Sequence, residues 1–468
     1  MEIESKRIIR VLIFLCALFV GLVVYLSYFQ AFHASKILTN SYNKRQWLNE
    51  EYVLRGTITD RNGKALAYSE KVEDKQIRRY EYGRLYAHVI GYSSKEYGKS
   101  GIEASYNSQL LNLSDNNPIL EIRDKITGPP EKGNNLRLTI DHDLQSYGEQ
   151  LLRGKKGSIV LMNPQNGEIY AMISKPDFNP ATLREDWEEI VEDKDSPLLN
   201  RAAMGLYTPG SVFKVITAAA ALQHPNMPET YQCEGSTRIE GYVLRDYQGT
   251  AHGKVDLEKA LALSCNVAFS QMGLAVGQKE LSEAAEDFMF NRVIPFPLVT
   301  KSSIFPKNDA MDAAELGATA IGQGRILTTP LNMALVASAI ANDGRMVKPV
   351  LVKEIISPEG RTIRTSISET LTRVSAPMVV QQLKQMMVKV VEEGTGRNAM
   401  IRNVKVAGKT GTAENDTGKA HAWFIGFAPA DNPQVAIAVV LESAGTTGGK
   451  SAAPIARDMM NRALGRFR

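Results

Sequence analysis

From Val11 to Phe29 the chain carries no charged residue and consists mostly of Val, Leu, Ile and Phe. At about 1.5 Å per residue, a helix over this run approaches the thickness of a bilayer's hydrocarbon core. Lys6, Arg7 and Arg10 stand just before it, so residues 1–10 are expected in the cytoplasm and the chain after residue 29 outside. A cleaved signal peptide is the rival reading. Its apolar region is usually shorter, and no clear small-x-small cleavage site follows Phe29, which favours an uncleaved anchor over residues 11–29. No second run of this length and apolarity follows.

The chain's 468 residues are too many for one ordinary core, so two or more domains are expected. An apolar fraction of 44% is enough for them to fold. The net charge of +4 gives little reason to expect a polyanionic partner, and no nucleic-acid motif is visible. Of three cysteines, Cys16 lies in the apolar run; Cys233 and Cys265 are too few for a disulfide framework. A bridge between those two and a pair of separate buried thiols both remain open. The six histidines are scattered without metal-ligand spacing, so no zinc, other metal or cofactor is expected.

Residues 30–50 are polar and read as a stalk. Thr57, Ile58 and Thr59 favour a strand, and Asn62-Gly63 signals a hairpin turn. Residues 114–135 are rich in Asp, Asn, Gly and Pro and read as a linker with a strand inside. They divide a small outer region, residues 30–135, from a larger one, residues 136–468. In the larger region Leu136–Ile140 reads as a strand, and Asp141 as the cap of a helix starting near Leu144. Ile159–Met162 and Glu168–Ile173 read as a hairpin across Asn163-Pro-Gln-Asn-Gly167. A loop-rich, partly helical stretch spans 176–400. Val404–Ala407, Ala422–Phe427 and Val435–Leu441 are late strands. The pattern suggests one mixed sheet with helices grouped around it.

Three motifs in order carry chemistry: Ser211-Val-Phe-Lys214, Ser264-Cys-Asn266 and Lys409-Thr-Gly-Thr412. Ser211 follows Pro209-Gly210 and opens an apolar helix, Val212–Leu222, whose N-terminus favours developing negative charge. Lys214 is three residues on, on the same helical face and within reach of the Ser211 hydroxyl. Its apolar neighbours would lower its proton affinity and suit it to act as a general base. Each motif alone is weak: Ser41-Tyr-Asn-Lys44, Ser105-Tyr-Asn107 and Lys99-Ser-Gly101 imitate them. Each residue also has a structural reading, with Ser211 as a helix cap, Ser264 and Asn266 as turn residues, and Lys409 as a strand-end charge. Order and context separate the set: Ser264 ends an Ala/Leu-rich helix, and Lys409 ends the strand at Val404–Ala407 with Gly408 and Gly411 permitting close backbone approach. Tyr207 and Trp423 read as aromatic core, and Cys265 as a packing residue.

With these motifs in place, the chain resembles the membrane-anchored class B penicillin-binding proteins. Arg55-Gly56, Asp60-Arg61-Asn62-Gly63, Gly101-Ile-Glu103 and Tyr106-Asn107 look like the family's N-terminal signatures; Pro209-Gly-Ser211, His252-Gly253, Gly322-Gln-Gly324 and Thr329-Pro330 match the transpeptidase pattern. The resemblance implies an α+β fold, the penicillin-recognising serine transferase fold. That is a five-stranded antiparallel sheet flanked by helices with an all-helical subregion, beside a small β-rich N-terminal domain and one transmembrane helix. It implies that Ser211 acylates on the D-Ala-D-Ala end of a peptidoglycan stem peptide, that Lys214 takes its proton, and that Ser264 relays a proton to the leaving amine with Lys409 beside it. Asn266 would orient substrate and Lys214. Thr410 and Thr412, with Gly411 between them, would join Lys409 around the substrate carboxylate, and the amides of Ser211 and Thr412 would form the oxyanion hole. An amine of a neighbouring stem would complete the crosslink, and β-lactam antibiotics would acylate Ser211.

The outer region is short for this family; no glycosyltransferase domain is visible, so glycan polymerisation is not expected of this chain, and the resemblance implies a polytopic membrane glycan polymerase as partner. A β-lactamase would need a deacylating motif that is not found here, and Cys265 stands where class A lactamases carry Asp. The same fold could also serve a D,D-carboxypeptidase, with water as the acyl acceptor, or a non-catalytic scaffold that recruits wall enzymes.

Overall fold

The computed structural model describes residues 2–32, 53–72, 75–113, 131–307, 309–415 and 418–466. Residues 33–50 of the stalk expected over 30–50, the Ser41–Lys44 look-alike and residues 114–130 of the linker expected over 114–135 lie outside the described residues.

Helix α1 (Glu2–Phe32) contains the apolar run. Over Ile8–Phe29 its mean hydropathy is 2.7, and it is long and apolar enough to cross a membrane. Side chains such as Phe19, Val20 and Leu22 are exposed, a surface that water penalises and lipid does not.

After it, β1 (Ile58–Thr59), β2 (Ala65–Val72) and β3 (Lys75–Tyr80) form an antiparallel meander. The expected turn joins β1 to β2. One carboxylate oxygen of Asp60 accepts the amides of Asn62 and Lys64, each at 2.8 Å, and Gly63 takes φ +86°. The two N-terminal signatures meet below this meander. Arg55 donates to Glu103 at 2.5 Å and to Asn107 at 2.6 Å, and Arg78 donates to the other Glu103 oxygen at 2.7 Å. Glu103 is wholly buried. Burial works to raise its carboxyl, but Arg55 and Arg78 outweigh that and hold it below the usual carboxylate range.

Strand β4 (Asn135–Leu138) runs parallel to β1 in this first sheet. Asp141 then caps α2 (His142–Leu151), accepting the amides of Asp143 and Leu144. The expected hairpin follows as β5 (Gly157–Met162) and β6 (Ile169–Lys175). A mostly helical region contains α3 (Lys214–Gln223), α4 (Leu257–Leu263), α5 (Asn266–Val276) and α6 (Pro330–Ala341). The chain next returns to the first sheet with β7 (Val352–Ile356) and β8 (Thr362–Thr365), giving the order β8-β7-β4-β1-β2-β3. That excursion lies inside the stretch read as loop-rich, and Arg137–Glu354 at 2.7 Å pins it across the sheet.

Helix α7 (Pro377–Glu392) leads to β9 (Ala407–Ala413), β10 (His421–Ala428), β11 (Val435–Leu441) and α8 (Gly448–Arg466). These strands join the hairpin in the order β9-β10-β11-β5-β6, antiparallel throughout. The sheet is thus not the mixed one that the strand pattern alone suggested. Both faces are covered. Helix α8 packs on β10 and β11 over Phe424, Ile437 and Val439, and α6 packs on the other face over Ile425, Ala438 and Val440. Helix α6 is apolar on every side because it is buried on every side.

One strand differs from expectation. The strand placed at Val404–Ala407 runs from Ala407 to Ala413, so Lys409 lies within it rather than at its end. In Lys-Thr-Gly-Thr the strand-favouring Thr410 and Thr412 alternate with Lys409 and Gly411, which are not, and the ladder with β10 carries the strand through all four. Gly408 is needed for that contact, since a Cβ there would sit 2.3 Å from the Phe424 ring.

Candidate active site

Ser211 sits in a tight turn, Gly210–Val212, one residue ahead of α3. The turn is held by backbone. Gly210, at φ +55°, donates its amide to the Gly322 carbonyl at 2.8 Å. A Cβ on Gly210 would lie 2.6 Å from the Thr412 oxygen, and one on Gly322 only 2.1 Å from the Gly210 oxygen. The Gly322-Gln-Gly324 strap, the nucleophile turn and β9 are therefore stacked at backbone contact, which no residue with a side chain permits. Ser211 is half-buried and opens onto a cleft of about 1100 Å³, shared with Ser264, Asn266, Thr410 and Thr412.

Beneath the cleft floor lie the two lysines, both fully buried. The Lys214 ammonium donates to the Asn266 side-chain oxygen and the Ser264 carbonyl, each at 2.7 Å, and lies 3.4 Å from the Ser264 hydroxyl. The Lys409 ammonium donates to that same hydroxyl at 2.9 Å and to the Thr410 carbonyl at 3.0 Å. Burial lowers Lys214 to about 8, against opposing pulls from Asp246 and Cys265. Burial, then the charge of Lys214, pushes Lys409 down as well. Two amines share one hydroxyl and neither holds its proton tightly, which is the electrostatic condition for a proton relay. A hydrogen bond from Lys214 to the Ser211 hydroxyl is not among those of the described residues; the amine is instead held on Ser264 and Asn266.

The turn carrying Ser264 is made by α4 ending and α5 beginning. Ser264 closes α4 in the left-handed region at φ +61°, Cys265 caps α5 with its sulfur, and Asn266 donates its amide group to the Arg245 carbonyl at 2.9 Å. On β9, the Thr410 hydroxyl pairs with Thr395 at 2.7 Å, and Thr412 accepts the Gly448 amide at 3.4 Å. A Cβ at Gly411 would lie 2.9 Å from the Pro209 oxygen, which fixes β9 against the Ser211 turn. All eight residues singled out in the sequence thus converge on one cleft and the floor below it.

Sequence reading missed Thr395 and the adjacent pair Arg245-Asp246, which brace the motif residues and carry no motif of their own. Cys233 and Cys265 are free and buried, yet close together, joined by Asp246 and His252. Burial raises the Cys265 thiol well above its ordinary range, which disfavours it as a nucleophile. Tyr207 and Trp423 are buried and meet edge to face at 6.1 Å, the packing role expected of them.

Comparison with known proteins gives the same outline. Residues 157–461 match the penicillin binding protein transpeptidase domain, and residues 55–136 the penicillin binding protein A dimerisation domain. The peptidoglycan D,D-transpeptidase PbpA of Mycolicibacterium smegmatis is 36% identical, over 97% of this chain and 98% of its own. Penicillin-binding protein A of M. tuberculosis, solved as a ceftriaxone acyl-enzyme, superposes with a TM-score of 0.83 at 33% identity, over 89% of this chain and 100% of that one. A D,D-transpeptidase domain from Eggerthella lenta superposes at 0.81 with 33% identity, covering 89% and 99%. Likeness of this kind spans both sheets and every loop that carries a motif, and on that basis the chain belongs to the class B penicillin-binding protein family.

Proposed function

We propose that this protein is a peptidoglycan D,D-transpeptidase with Ser211 as its nucleophile. The observation that carries the reading is the hydrogen-bonded chain Lys214–Ser264–Lys409 lying under a half-buried serine. The Ser211 hydroxyl attacks the penultimate D-Ala carbonyl, and its proton passes to the neutral amine of Lys214. The resulting oxyanion is stabilised by the Ser211 and Thr412 amides, whose backbones are pressed together through Gly210. Collapse expels the terminal D-Ala amine, protonated through Ser264 with Lys409 behind it. The Thr410 and Thr412 hydroxyls hold the substrate carboxylate, with Lys409 beside them, and Gly411 keeps the strand close enough for the contact. Asn266 holds Lys214 in place and faces the substrate backbone. An amine from a second stem then attacks the acyl-enzyme, and the released serine recovers its proton. A β-lactam follows the first half of this path and stays attached.

Because Lys214 must lose its proton to serve as base, the rate of acylation rises with pH and levels off above about 8. The check is a time course of intact mass for the full-length protein with a penicillin at several pH values, followed by peptide mapping. The adduct is expected on the peptide holding Ser211; an adduct elsewhere, or a rate indifferent to pH across that range, overturns the assignment.

Residues 11–29 act as a single-pass anchor, with residues 1–10 in the cytoplasm, a small pedestal over 30–135 and the catalytic region 136–468 outside. The exposed apolar surface of α1 also supports contact with a polytopic glycan polymerase in the membrane. Replacing residues 11–29 with an unrelated apolar helix should abolish co-purification of such a polymerase; an unchanged pull-down removes the anchor from that contact.

A further inference from the structure

We propose that Glu414 selects the stem peptide by charge, favouring a cationic side chain on the residue directly before D-Ala-D-Ala. The inference deepens the transpeptidase reading and rests on it. Its ground is the alternation of β9, since residues two apart on a strand face the same way. Thr410, Thr412 and Glu414 line the cleft, whereas Gly411 and Ala413 between them do not. Glu414 thus continues the row of cleft-facing groups one pleat past Thr412, about 6.8 Å further along the strand. Its backbone is held on both sides. Ala413 pairs with His421 in the ladder of β9 with β10, and Asn415 donates to the Ser443 hydroxyl at 3.0 Å.

The direction of a bound peptide follows from the anchors of the proposed reaction. The Thr412 amide receives the carbonyl of the penultimate D-Ala, and Thr410 lies on the carboxylate side of it. The C-terminus of the peptide therefore points toward Thr410 and its upstream end toward Glu414, antiparallel to β9. Strand β9 is an edge of its sheet, where an extended peptide can lie alongside. Such a peptide advances about 3.4 Å per residue, which brings the side chain before D-Ala-D-Ala level with Glu414.

Charge follows the same axis. Of the residues lining the cleft, Asp246 and Glu414 are acidic. Asp246 is buried and accepts the Asn266 amide, so it is occupied. Glu414 is exposed and has no hydrogen bond or ion pair among the described residues. At the other end, the exposed Lys450 lines the cleft from the first turn of α8. That turn lies beside Thr410, since a Cβ on Gly449 would be 3.7 Å from the Thr410 methyl group. Arg245, also exposed, belongs to the wall that carries Asn266, whose side chain its carbonyl accepts. Along β9 the cleft is therefore positive at the carboxylate end and negative at the upstream end. A stem with a terminal carboxylate and an upstream cation matches it in sign.

The test uses full-length protein in detergent with three acetylated tripeptides, carrying lysine, norleucine or glutamate before D-Ala-D-Ala, and reads release of D-Ala as kcat/KM. The wild-type protein is expected to favour lysine over norleucine by about fivefold, the reach of an exposed ion pair, and over glutamate by more. High salt should shrink the preference. Glu414→Gln should bring lysine level with norleucine, and Glu414→Lys should put glutamate ahead of lysine. Penicillin G carries no such cation, so its rate of acylation should stay within about twofold of wild type in both variants, as should be true of a surface substitution. Equal turnover of the three peptides by the wild-type protein, or a lysine preference that survives Glu414→Lys, overturns the proposal and leaves the transpeptidase reading standing. Absence of D-Ala release from all three overturns that reading and the proposal with it.

Discussion

Ser211→Ala should reduce covalent labelling by penicillin about a million-fold while the melting temperature stays where it was. The contrast follows from how the residue is held. Its hydroxyl makes no hydrogen bond among the described residues, and the turn it occupies is fixed by Gly210, Gly322 and Thr412 through backbone contacts that the substitution leaves alone. The change in stability should therefore stay within about 0.5 kcal/mol. Loss of the nucleophile removes the covalent path altogether, and the buried amines of Lys214 and Lys409 cannot replace it because they lie beneath the cleft floor. Measuring adduct formation and thermal melting on the same sample separates the two effects. Labelling that persists at the wild-type rate would mean that the reactive group lies elsewhere.

Glu103→Ala should have the converse signature: a large loss of stability in a region that performs no chemistry. Glu103 has no exposure and serves two arginines, Arg55 and Arg78, whose side chains are 3% and 9% exposed. Removing it strands two guanidinium groups in a dry setting. Breaking a buried pair from one side costs about 3–5 kcal/mol. Because this six-stranded sheet is separate from the five-stranded one, a single melting temperature would blur the effect. Hydrogen exchange at the amides of β2 and β3 reads it directly, since Arg78 lies on β3 and also donates to the Gly56 carbonyl at 2.8 Å. Protection that falls by less than about tenfold, under 1.4 kcal/mol, would show that Arg55 and Arg78 find other acceptors.

The parts of the fold written plainly in the sequence are those whose pattern is local. The β5/β6 hairpin has apolar strands around Asn-Gly, Asp141 precedes a helix it can cap, and Ser264 follows a helix it can close. Two features were hidden for different reasons. Strand β8 is exposed at every position and pairs only with β7, and β7 pairs with β4 more than two hundred residues earlier, as in Arg137 with Glu354. Nothing in a short window announces a partner so distant. Strand β9 is mostly small residues (Ala407, Gly408, Gly411 and Ala413), with Thr410 and Thr412 as its only strand formers, and its conformation comes from β10 alongside. At the site, the three motifs could be read because each is contiguous. The cysteine–aspartate–histidine cluster could not be, since its members come from separate elements and meet only when α4 and α5 pack beside two short strand pairs.

The first sheet draws its strands from three well-separated stretches of the chain, with β4 lying between β1 and β7. This imposes a timetable on biogenesis. During synthesis β4 can dock on β1 soon after it emerges, but its far side stays bare until β7 appears much later. In that interval the unfinished margin is a template for pairing with other extended chains, so a folding helper would be needed most before synthesis reaches Val352.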